Sequence, residues 1–104
     1  MVNPYAGEVS LTVDGQPMVC KLTLGALAEL EQTLQVGSLV DLIKRFEAGE
    51  FTSSDVLALC VAGLRGGGWR GTADDLFCAE IENGPVGAAR AAAEMLARAF
   101  SPPE

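Results

Sequence analysis

The residues best placed to do chemistry lie in GLRGGGWRG, residues 63–71, where five glycines stand with two arginines and the chain's single tryptophan. Gly66, Gly68 and Gly71 satisfy G-x-G-x-x-G, the spacing of a loop that cradles a pyrophosphate on backbone N–H groups at the start of a helix. Gly63 and Gly68 have the separation of a Walker loop, in which a following lysine meets the phosphates and a hydroxyl holds magnesium. Trp69 and Arg70 stand where that lysine and hydroxyl must be, so the Walker reading fails. The dinucleotide reading needs a strand before the glycines, a helix after them and a second βαβ half. DVLALCVAGL (55–64) has the composition of a buried strand, but its capping signal and length favour a helix, and no further strand pattern follows. A nucleotide site on this loop is the weakest reading of the segment. Two others stand beside it. One is a connector with Trp69 folded back onto the core. The other is an exposed loop that offers Arg65, Trp69 and Arg70 to a partner, since tryptophan and arginine are enriched in interface hot spots.

The rest of the chain offers little to a catalyst. Histidine is absent, which removes the commonest general base and metal ligand. Cys20, Cys60 and Cys78 are far apart, form no C-x-x-C and sit among apolar neighbours, so buried free thiols are expected. The carboxylate pairs Glu29/Glu31, Asp74/Asp75 and Glu80/Glu82 are one or two residues apart, and such pairs do not face each other on a helix. Ser53 and Ser54 have no histidine to activate them and no lysine nearby in sequence. The expectation is a protein without catalytic residues, metal or cofactor.

Composition narrows the partners. Seven basic residues against fourteen acidic ones leave a net charge of −7 and a pI near 4.4. Nucleic acids and anionic membranes select the opposite balance, so neither is an expected partner. No apolar run is long enough to span a bilayer, and MVNPYAGEVS lacks the pattern of a secretory signal, so a cytoplasmic protein is expected. At 104 residues with 49% hydrophobic content, the chain suits one domain that can fill a core without staples.

The elements follow from the hydrophobic period. EVSLTV (8–13) and MVCKLT (18–23) alternate, with Val9, Leu11 and Val13, then Met18, Cys20 and Leu22, on one face. Asp14-Gly15 between them marks a tight turn, so residues 8–23 form an antiparallel β-hairpin with one buried face. The period then becomes helical. Residues 23–35 place Leu27, Leu30 and Leu34 on one stripe, with Thr23 as cap and Gly37 as stop. Residues 38–49 run from Ser38 to Gly49 with Leu39, Leu42, Ile43 and Phe46 inward. Residues 52–65 begin with Thr52 and Asp55 at capping-box spacing and are apolar nearly all round, which marks the central helix. A fourth helix is expected over 72–85, from Thr72 to Asn83-Gly84, and a fifth over 85–100 with proline in its first turn. On the fifth, Val86, Ala89, Ala93, Leu96 and Phe100 are spaced three, four, three and four. That seam suits core packing, and equally a helical client or a second copy. The fold class is α+β, a hairpin packed on about five short helices (24–100), with 101–104 as a frayed tail.

NPYAGEVSLTVDG (3–15), LTLGALAELE (22–31) and AGLRGGG (62–68) together resemble the small tail assembly chaperone of gene transfer agents, phage-like particles encoded by alphaproteobacteria. The same family is also described as a phage tail tube or tail-associated protein. The resemblance covers residues 3 to 68 and is weaker beyond. It implies a non-enzymatic chaperone that coats the long, helical tape measure protein before the tail tube closes around it, and that can recruit tube subunits. The tape measure protein is then the expected partner, followed by the tail tube protein and self-association. A structural tail tube or tail completion subunit that stays in the particle is the alternative.

Overall fold

The computed structural model describes residues 7–33 and 39–100. It has an N-terminal two-stranded antiparallel sheet followed by five helices, an α+β fold. β1 (Val9–Val13) and β2 (Gln16–Cys20) pair from Val9 opposite Cys20 to Val13 opposite Gln16. Asp14 and Gly15 both have positive φ (51° and 79°), the backbone of a tight two-residue turn whose twist matches that of the strands. β2 starts two residues earlier than its alternation suggests and includes Pro17. The proline is tolerated because it faces Thr12. Pairs alternate along such a ladder, and at this one the backbone groups point away from the partner strand. Val9, Leu11, Val13 and Cys20 are buried, so the expected inner face is the observed one.

The helices are α1 (Leu24–Thr33), α2 (Leu39–Ala48), α3 (Ser53–Gly66), α4 (Ala73–Phe77) and α5 (Gly84–Ala99). Thr23 caps α1, its hydroxyl accepting from the Ala26 N–H at 3.1 Å. Ala26 and Leu30 are the buried face of α1. The expected stop and start at Gly37 and Ser38, and the stripe residue Leu34, lie outside the described residues. α2 ends at Gly49, whose φ of 72° suits a left-handed helix stop. α3 opens with a full capping box between Thr52 and Asp55 and is the central helix, with Leu59, Cys60, Val61, Ala62 and Leu64 buried. It packs against α1, α4, α5 and β2.

The expected fourth helix over 72–85 is corrected. α4 keeps its capping box, Thr72 with Asp75, but stops at Phe77. Beyond it the chain runs beside β1 and joins it through one isolated β-bridge. Asp14 N–H donates to the Glu80 carbonyl at 2.8 Å, Glu82 N–H to the Thr12 carbonyl at 3.0 Å, and Ile81 bridges Val13. Those bonds satisfy backbone groups that an α-helix would otherwise have satisfied itself. Asn83, with φ 67°, is the cap of α5 rather than the end of α4.

Candidate functional site

The glycine segment is explained by packing. Gly63 and Gly66 belong to α3 itself, so the helix runs past the expected end at Arg65. A Cβ on Gly63 would lie 2.1 Å from Met95 Sδ of α5. On Gly66 it would lie 1.9 Å from the Lys21 carbonyl oxygen, and on Gly67 2.0 Å from that of Val19. These three glycines let the central helix touch the hairpin backbone and α5. The segment also sits at a helix C-terminus, the negative end of the dipole. The amides of residues 67–69 are already committed: Gly67 N–H to the Gly63 and Leu64 carbonyls, Gly68 N–H to Arg65, and Trp69 N–H to Leu64 at 2.9 Å. A phosphate cradle needs free amides at a helix N-terminus, so this geometry does not form one.

Trp69 is half-buried against the core, and a Cβ on Gly71 would stand 2.0 Å from its ring. Arg65 is exposed and pairs with Glu29 of α1 at 2.9 Å, while Arg70 is exposed. Trp69 therefore packs inward while its flanking arginines face out. The α5 seam is also split. Val86 is 66% exposed, Ala93 is exposed, Phe100 is 45% exposed, Ala89 is half-buried and Leu96 is buried. The core face of α5 is instead Ala91, Ala92, Met95 and Leu96, about a quarter turn away at roughly 100° per residue.

What the structure brings together is a groove that the spacing of these residues did not disclose. It runs between the N-terminal halves of α3 and α5 and the short α4, with a volume of about 1280 Å³. Val56, Leu57, Phe77, Ile81, Ala88 and Ala89 give it an apolar lining, and Cys60 lies at its floor. Phe77 is 76% exposed. Phe51 stacks on Phe46 at 4.5 Å between centroids and also borders the groove. The charged residues lining it are Glu80 and Glu82. Ala89 is the one seam position among its walls. A sequence signal existed: Leu76 and Phe77 are adjacent on a short helix, so both cannot face the core, and Leu76 is the buried one.

Ionisable groups elsewhere serve the fold. Asp55 is buried, accepts from the Thr52 N–H at 2.9 Å and takes a two-point contact from Arg45 at 2.9 and 3.1 Å. Burial works to raise its pKa, but the Arg45 guanidinium and the Thr52 donors outweigh this and hold the carboxyl below the usual range. Burial pushes the Cys60 thiol up to about 12. Burial, with Cys60 adding a smaller effect, does the same to Cys20, also to about 12. Cys78 corrects the expectation of three buried thiols: it caps the end of α4 and is exposed. Among the described residues no group of three or more metal-ligating side chains forms, and no helix is long and apolar enough to cross a membrane.

Residues 6–102 match the family described as "Phage tail tube protein, GTA-gp10". No curated protein and no solved structure matches the chain. The match spans the hairpin, all five helices and both walls of the groove. The chain belongs to this family of phage and gene transfer agent tail proteins.

Proposed function

We propose that this chain is a non-enzymatic structural component of a phage-like tail, built into the tail tube and joined to neighbouring tail proteins by surface docking. The family description carries the tube assignment. The open groove supports docking, since an apolar trough between helices is the shape that takes a partner's helix. On this reading the chain is used in the cytoplasm, where tails are assembled, and meets the tube protein or further copies of itself. Quantitative mass spectrometry of purified particles tests it. Retention in fixed proportion to the major tube protein is expected. Absence from particles that nevertheless require the gene for tails would overturn the structural assignment.

A second reading is favoured by one observation, the state of the sheet edges. Partners often join a protein by adding a strand to an open edge. Here β1 is flanked by residues 80–82, and the Arg98 guanidinium donates to the Glu8 carbonyl. β2 carries Pro17, and the Lys21 N–H just beyond it is held by the Gly63 carbonyl at 2.8 Å. With one end of β1 covered and β2 interrupted by a proline, the helical faces offer the more open surface. Transient helix docking is what an assembly chaperone for the tape measure protein would use. Co-expression with that protein, followed by pull-down, separates the two readings: a soluble complex, with the chain lost from mature particles, makes it a chaperone.

A further inference from the structure

We propose that the groove between α3, α4 and α5 receives a basic amphipathic helix of another tail protein, its apolar stripe against Phe77, Val56 and Leu57 and its lysines or arginines beside Glu80 and Glu82. The inference rests on the docking reading above.

Size comes first. The groove, at about 1280 Å³, exceeds the ~300–1,000 Å³ typical of small-molecule sites. It is closer to two or three turns of a helix roughly 10 Å across. Shape agrees, since two helices wall a trough with a third element at its side, the arrangement that accepts a helix through anchors at i, i+3, i+4 and i+7. Phe77 supplies the exposed aromatic anchor that such contacts favour.

Charge then chooses the occupant. Glu80 and Glu82 line the groove, and among the described residues no lysine or arginine does. The N-termini of α3 and α5 open toward it, but each carries only about half a positive charge, and that of α3 is already capped. Two full carboxylates outweigh them. A second copy of this chain would bring another net −7. Like charge therefore disfavours a second copy in this groove and selects a partner with basic flanks, while copies of the chain remain able to meet through other faces.

The test uses the full chain and two synthetic amphipathic peptides of about 18 residues, long enough to hold helix. They share one leucine stripe; one carries lysine at the remaining positions and the other glutamate. Titration should show the lysine peptide binding at least about tenfold more tightly, with affinity falling as salt rises. Phe77→Asp should weaken the lysine peptide at least about tenfold while leaving the circular dichroism spectrum unchanged. Because this variant adds negative charge, a loss cannot come from weaker general attraction. Glu80→Lys with Glu82→Lys should invert the preference between the peptides. Equal binding of both peptides, no binding of either, or indifference to Phe77→Asp would overturn the inference. So would a chain that sediments as a dimer and becomes monomeric on Phe77→Asp, since the groove would then hold a second copy. Particle mass spectrometry keeps the two claims apart. A chain retained in particles that binds neither peptide sinks the groove alone, whereas a chain that binds the lysine peptide but is absent from particles sinks the tube assignment alone.

Discussion

Gly66→Ala is the most direct probe of how the hairpin is held on the central helix. Position 66 lies in the last turn of α3, where propensity alone favours alanine by about 0.8–1 kcal/mol. The surroundings predict the opposite sign. The new Cβ would stand 1.9 Å from the Lys21 carbonyl oxygen and 3.1 Å from its carbon. That obstacle is main chain, not the free end of a side chain, so the helix and the Lys21 backbone must part by about 1.5 Å to restore contact distance. The neighbouring bond from Lys21 N–H to the Gly63 carbonyl, 2.8 Å long, would then stretch out of range. Losing it costs about 0.5–1.5 kcal/mol, and the misfit in a packed interior about 1–3 kcal/mol. After the propensity gain is subtracted, the net loss is about 0.5–3.5 kcal/mol. In a domain of this size that lowers Tm by roughly 2–18 °C. Thermal melts and urea titrations with a shared slope would measure it. Gly25→Ala is the control: its nearest outside atom is Thr23 Oγ1 at 4.0 Å, so stability should rise by a few tenths to about 1 kcal/mol. If Gly66→Ala melts at or above the wild type while Gly25→Ala behaves as stated, the close approach is not what requires the glycine.

Three further outcomes are expected. A thiol reagent should label Cys78 rapidly at neutral pH and reach Cys20 and Cys60, both held near 12 by burial, only on unfolding; fast labelling of all three would contradict the burial. Asp55 has a lowered pKa in the fold, so its contribution is full above the ordinary carboxylate value of about 3.9 and is lost as pH falls through the folded value. Asp55→Asn should therefore melt below the wild type at neutral pH, with the gap narrowing in acid; a gap that stays constant down to about pH 2 would show that charge is not the cause. Trp69→Ala should destabilise by about 1–3 kcal/mol, less than a fully buried tryptophan, because the ring is half-buried; a change within about 0.5 kcal/mol would place the ring outside the core.

Local pattern recovered the elements whose bonds are local. The hairpin turn was legible because Asp14-Gly15 dictates its own backbone, and the starts of α3 and α4 because a capping box is closed within four residues. The long fourth helix was misread because Asn83-Gly84 looks like a helix stop from either side. What decides the matter is the pairing of residues 80–82 with the hairpin, a contact across more than sixty residues that no local period records. The core face of α5 was hidden for a different reason. Alanine is nearly neutral between core and surface, so several three-four stripes fit the same sequence, and Met95, buried against Gly63, selects the face that is used. Burial of Trp69 beside exposed Arg65 and Arg70 likewise depends on Gly71, which leaves room for the indole ring.

The groove and the glycines have one physical origin. Gly63, Gly66 and Gly67 draw α3 onto the hairpin and α5, and that fixes which side of α3 is covered most closely. The far side still carries Val56 and Leu57, because this helix is apolar nearly all round. Covering it falls to α4, but α4 has 5 residues against the 14 of α3, about 7 Å of helix against about 21 Å. The shortfall leaves the first turns of α3 and α5 facing each other across an unfilled trough, with Phe77 turned outward at its edge. Extending α4 would fill the trough, yet residues 80–82 are already engaged along β1 and cannot also be helix. The same bonds that cover one end of β1 therefore keep the helical face open.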